Sequence, residues 1–193
     1  MDSILESIKL DSTYEITAQT IGFLALICCL TAYQMKTQKK IVSAMIISCT
    51  LFTIHFLMLG AYTGAIMNTI GAARSVVFAN KDKKWAKSNW WIVLFCLISI
   101  VAVVFSWEGT RSLLPMFGML FTTVSWGIEK ASLVRLISLP SSPLWIVYNY
   151  ISGSMAGVLT EVFVMISIIT AMIRLDLPGK NKNGQKNGAD GGD

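Results

Sequence analysis

Charge is scarce in this chain. Only 14% of its 193 residues are charged while 54% are hydrophobic, and mean hydropathy is +0.61, which excludes an ordinary soluble domain and points to a polytopic membrane protein. Histidine occurs once and proline four times. The four cysteines, Cys28, Cys29, Cys49 and Cys96, lie inside apolar runs without metal or redox spacing, so they read as small lipid-phase residues. H-E-x-x-H, G-x-S-x-G and Walker A patterns are missing, and no second acid lies within the apolar runs to make an aspartyl pair. No enzymatic chemistry, metal or cofactor is therefore expected. The last apolar run also lacks lysine, which excludes a retinal Schiff base of the rhodopsin kind. A net charge of +5 would suggest nucleic acid in a soluble protein, but here the basic residues sit in short segments between apolar runs. That pattern is topology, and no nucleic-acid partner is expected.

What is present is apolar sequence in lengths suited to a bilayer, which needs roughly 20 residues per helix. The expected spans are 16–35, two within 41–80 turning near Gly60, 88–107, 112–128, and two within 136–173 turning near Gly153. The first fifteen residues are acidic and lack the basic start of a signal peptide, so the first run is expected to remain as an anchor. Basic residues fall in alternate connections: Lys36, Lys39 and Lys40; Lys81, Lys83, Lys84 and Lys87; Lys130 and Arg135; Arg174 and the lysines beyond it. The other turns hold only Glu108 and Arg111. The positive-inside rule then puts the N-terminus outside and the C-terminus in the cytoplasm. The tail 179–193, mostly Gly, Asn, Lys and Asp, cannot bury a core and is expected to be disordered.

Shifting the chain by 93 residues lays one double-span block on the other without a gap. Ile54 falls on Val147, His55 on Tyr148, Gly60 on Gly153, Gly64 on Gly157 and Asn68 on Glu161. Both copies read G-x-x-x-G with a polar residue four positions later, which in a helix would align small and polar groups on one buried face. The first and fifth spans superpose as well. The expected fold is thus all-α, seven transmembrane helices in two parallel three-helix repeats (16–80 and 112–174) joined by a linker helix (88–107), a single membrane domain over 1–178.

Glu161 is the only charged residue between 136 and 173. A carboxylate at mid-bilayer costs about 2.5–3.5 kcal/mol on insertion scales, so such residues usually face an interior or a water-filled path and mark function. Asn68, its counterpart at the 93-residue offset, is expected at similar depth across the pseudo-axis. The pair suits a small hydroxyl-rich or amide-bearing solute, with Trp145 and Phe52 as apolar walls. The structural alternative has Asn68 bonding a neighbouring helix and Glu161 bonding Asn149, Ser154 or Tyr148 as glue. Arg74, about 9 Å further along its helix at 1.5 Å per residue, reads as a snorkelling or structural arginine, with anion binding or pairing to Glu161 as alternatives. His55 reads as an interior hydrogen-bonder, with a proton relay to Glu161 as its alternative.

The segment Trp145-Ile-Val-Tyr-Asn149-Tyr-Ile-Ser-Gly153-Ser154-Met-Ala-Gly157-Val-Leu-Thr-Glu161, with Arg174 ending the last span, resembles the hallmark of the YgjV family of bacterial inner-membrane proteins. His55-Phe-Leu-Met-Leu-Gly60 followed by Arg74 resembles that family's first-half motif. The resemblance implies a multi-pass protein of the inner membrane and names no substrate, and it weights Trp145, Asn149, Glu161 and Arg74 above Asn68. The three-one-three layout is also similar to the SWEET and PQ-loop (MtN3-like) carriers, where solute binds between helices 3 and 7. Tyr33-Gln34 stands where that group has proline-glutamine. The leading expectation is a small-solute transporter, with protons as candidate coupling ion through Glu161; the rival is a non-transporting scaffold or receptor. A cavity touching both Asn68 and Glu161 favours the first, and a dry core with Glu161 fully bonded favours the second.

Overall fold

The computed structural model describes residues 2–35, 38–128 and 130–176. Among these, every regular element is a helix: α1 (Asp2–Gln34), α2 (Gln38–Met58), α3 (Tyr62–Phe78), α4 (Trp90–Phe105), a 3-10 turn at Thr110–Ser112, α5 (Leu113–Ser125), α6 (Ala131–Ser138), α7 (Ser141–Ile151) and α8 (Met155–Leu175). Helices are what apolar sequence must form in hydrocarbon, since they satisfy every backbone donor within one segment. Three stretches, Ser12–Ala32, Lys40–Met58 and Met155–Leu175, are each long and apolar enough to cross a membrane; α4 is apolar but shorter.

Two boundaries differ from the sequence expectation. The first helix begins at Asp2 instead of residue 16, and the expected sixth span is split into α6 and α7. Pro140 and Pro143 explain the split. Neither has an N–H to give to the carbonyl four residues back, at Leu136 and Leu139, so the helical ladder breaks between Ser138 and Ser141. The expected disordered tail lies outside the described residues.

The helices close a ring. α1 packs on α2, α2 on α3, α3 on α5, α5 on α7, α7 on α8, and α8 returns to α1. α4 lies outside, against α3 and α5. It buries only Phe95, Ser99 and Val103, a single stripe at spacing four, and turns Val104 and Phe105 outward.

Hydrogen bonds sort the helix ends into two sets. At one end, the Thr63 hydroxyl donates to the Ser106 carbonyl at 2.6 Å, and its backbone N–H donates to Glu108 Oε1 at 3.1 Å. Glu108 also pairs with Arg111 at 3.2 Å. At the other end, Lys81 Nζ donates to the Trp126 carbonyl at 2.7 Å, and Arg135 forks onto Asp176, Nε to Oδ2 at 2.9 Å. That fork holds the Asp176 carboxyl below the usual carboxylate range.

Two turns are built alike. α2 ends at Met58 and α7 at Ile151; α3 begins at Tyr62 and α8 at Met155, so each boundary repeats at the 93-residue offset. Gly60 has φ +66° and Gly153 φ +70°, with nothing within 4 Å of an added Cβ. The amide of the next residue reaches back five positions in both, Ala61 to the Phe56 carbonyl and Ser154 to the Asn149 carbonyl, each at 2.8 Å. The first glycine of each G-x-x-x-G is therefore a turn residue in the left-handed region, not part of a packed helix face as the spacing alone implied. Only the second glycines pack. A Cβ on Gly64 would lie 2.7 Å from the Tyr148 ring, and one on Gly157 2.6 Å from the Asn149 amide.

Candidate functional site

The ring encloses an open cavity of about 760 Å³ to which α1, α2, α3, α5, α6, α7 and α8 all contribute. Five of the six residues singled out in the sequence line it: Asn68, Arg74, Trp145, Asn149 and Glu161. The sixth, His55, does not.

Phe52 and Trp145 form the apolar part of the wall, linked through Phe56, whose ring lies 6.0 Å from Phe52 and 6.5 Å from Trp145. Glu161 is half-buried, on the cavity side of α8 and beside the Ser142 hydroxyl of α7. It sits one turn beyond Gly157, on the same helix face. The predicted glue partners are engaged elsewhere, Ser154 with His55 and the Tyr148 hydroxyl with Gly64. Asn149 is buried, yet its Oδ1 has no hydrogen-bond partner. Asn68 spends its amide nitrogen on the Gly64 carbonyl at 3.0 Å.

Arg74 is 8% exposed, so the snorkelling reading fails. Its Nη1 donates to the hydroxyls of Thr122 and Thr123 at 2.8 and 2.7 Å, and its guanidinium lies over the Trp126 ring at 4.8 Å. Nε has no partner. Arg74 and Glu161 form no ion pair among the described residues. Three formally charged side chains thus line the cavity: Arg135 is paired with Asp176, whereas Arg74 and Glu161 have no group of opposite charge within ion-pair distance among the described residues.

His55 is fully buried at the edge of the bundle where α1, α2 and α8 meet. Nδ1 donates to the Ala18 carbonyl at 2.7 Å, and Nε2 accepts from the Ser154 hydroxyl at 2.8 Å, which in turn receives the Gly157 N–H at 3.1 Å. A carbonyl can only accept, so the ring carries its proton on Nδ1 and both nitrogens are used. The relay to Glu161 has no continuous path through these bonds. Tyr148 makes the reciprocal link: its hydroxyl receives the Gly64 N–H at 2.7 Å. Thus α2 sends His55 to the residue that caps the start of α8, and α7 sends Tyr148 to the first turn of α3. The cavity lining stops at Phe56, Asn149 and Gly157 on this side and runs to Arg135 and Ser138 on the other.

Sequence reasoning named Tyr148 and Ser154 only as partners for Glu161, whereas they bond Gly64 and His55. It missed the Thr122–Thr123 pair, because nothing in the spacing of two threonines announces an arginine cradle.

A closed helical ring with apolar outer faces, around a largely apolar cavity that carries a few polar and ionisable side chains, is the architecture of an integral membrane protein. More narrowly, the family described as "Bacterial inner membrane protein", Imp-YgjV, matches residues 16–178, and the chain belongs to it. It is similar to "Inner membrane protein YgjV" of Escherichia coli (strain K12), 20% identical over 144 residues, which is 75% of this chain and 76% of the relative. No solved structure matches significantly.

Proposed function

We propose that the chain is a multi-pass transporter of small solutes in the bacterial inner membrane, working by rocking of two three-helix halves about the central cavity. In this reading the chain crosses seven times, α6 and α7 together making the sixth crossing and α4 the linker between parallel halves. The N-terminus lies outside and the C-terminus in the cytoplasm. The observation that carries the reading is the single cavity touched by both Asn68 and Glu161 and shared by the two halves. The matched turns at Gly60 and Gly153, and the reciprocal links of His55 and Tyr148, support two equivalent units. Layout alone, as in the SWEET and PQ-loop carriers, supports it only by analogy.

Uptake from a metabolite extract into vesicles tests it. Native protein should accumulate at least one solute that empty vesicles and vesicles with Glu161→Gln do not; equal uptake profiles in all three would leave a scaffold. Topology is checked separately with a reporter active only in the periplasm. Fusions after Gly60 or Gly153 should be bright and fusions after Lys83 dark.

A further inference from the structure

The cavity wall makes two opposite demands. Arg74 is buried, fixed by Thr122 and Thr123 through a single nitrogen and stacked on Trp126, with Nε unbonded. Elsewhere on the wall stand Glu161, beside the Ser142 hydroxyl, and Asn149, whose buried Oδ1 also lacks a donor. A charge withdrawn from water without a partner of opposite sign is costly. These two charges do not relieve each other, because no ion pair joins them. A buried donor without an acceptor and a buried acceptor without a donor in one cavity are both relieved by a ligand that brings one of each.

We propose that the solute is a small organic zwitterion, its carboxylate received by Arg74 and its ammonium by Glu161 and Asn149 Oδ1. A guanidinium presents paired donors that match a carboxylate, and Nε is one of the two nitrogens such a fork uses. An ammonium has three donors and no acceptor, which suits a carboxylate and an amide oxygen. Phe52 and Trp145 leave an apolar wall for a side chain. A sugar would satisfy the hydrogen bonds and leave both charges unneutralised. The inference deepens the transport reading and rests on it only in taking the cavity as a solute site.

The test is equilibrium binding to the full chain in lipid nanodiscs. The probes are the common α-amino acids, the carboxylic acid and the amine matched to each, and glucose. At least one amino acid should bind about tenfold or more tighter than its matched acid, its matched amine and glucose. Arg74→Gln should abolish that binding, and Arg74→Lys, which keeps the charge and protects against a merely unfolded variant, should retain part of it. Glu161→Gln should bring the amino acid and its matched acid to within about threefold, since the group that reads the ammonium is gone. Binding of glucose, acid or amine as tight as any amino acid overturns the proposal, as does absence of amino-acid binding at millimolar concentration. So do a folded Glu161→Gln protein with native selectivity and a folded Arg74→Gln protein with native affinity. Binding without vesicle uptake would break the transport reading alone; uptake of an uncharged solute would break this one alone.

Discussion

In the first hairpin, between Phe52 and Asn68, the side chain that crosses to the other half is His55; in the second, between Trp145 and Glu161, it is Tyr148. The backbone is the same in both, with a left-handed glycine and a five-residue return bond. The side chains at matched positions are not: Phe56 against Asn149, Ala61 against Ser154, Asn68 against Glu161. Turn geometry is set by the glycine and tolerates little change, whereas Phe56, Asn149, Asn68 and Glu161 line the cavity and answer to what fills it. The first hairpin brings Phe52, Phe56 and Asn68 to the cavity and the second Trp145, Asn149 and Glu161, so the only carboxyl comes from the second and the site is asymmetric although the two turns match.

The largest expected effect tests the shared frame. Gly157→Leu and Gly64→Leu each force a side chain into space where a bare Cβ would already lie within 2.7 Å of Asn149 or Tyr148. Overpacking typically costs about 1–3 kcal/mol and occasionally more, so both leucine variants should melt well below the parent in detergent, and the alanine variants less far below. Parental heat resistance in both leucine variants would mean these glycines are not at close approach.

A smaller effect separates the two crossing links. His55→Ala removes two buried hydrogen bonds and Tyr148→Phe removes one, leaving the Gly64 N–H unpaired. Each bond lost is worth about 1 kcal/mol. The histidine variant should therefore lose more melting temperature than the tyrosine variant; the reverse order would contradict the assignment of both ring nitrogens. Gly60→Ala and Gly153→Ala should cost about 1–2 kcal/mol each from left-handed strain alone, and equally, since nothing lies near either Cβ. Unequal losses would show that the two turns are not equivalent.

The smallest effect concerns the fork between Arg135 and Asp176, which only the second half has. Because Arg135 lowers the Asp176 pKa, the stabilisation is present above the ordinary aspartate range and is lost as pH falls through the lowered value. Asp176→Asn should therefore give a slight loss of heat resistance at neutral pH and none in strong acid. A difference between variant and parent that grows on acidification would have the wrong sign.

Helical class, turn positions and five cavity residues were legible in the sequence because each rests on a local signal: apolar run length, glycine, or a lone polar residue in an apolar run. For Arg74 the sequence left snorkelling and a structural contact both open, because its burial depends on Thr122, Thr123 and Trp126, nearly fifty residues away in the chain, and the structure shows the contact. The split of the sixth span was not foreseen, although Pro140 and Pro143, whose missing donors act locally, lie at it. His55 was read rightly as an interior hydrogen-bonder, but its partner Ser154 lies in the other half, and only the repeat connects them.

In the proposed transporter the cavity is reached from the end that carries Lys81 and Arg135 and is closed at the other by the contacts of His55 and Tyr148. Cys29 and Cys49 line the cavity, so a variant carrying Cys28→Ser and Cys96→Ser reports on it through a membrane-impermeant maleimide. Labelling should occur in inverted vesicles, be absent in spheroplasts, and appear in spheroplasts once His55→Ala is added. Labelling of the parent variant from outside, or from neither side, would contradict the account.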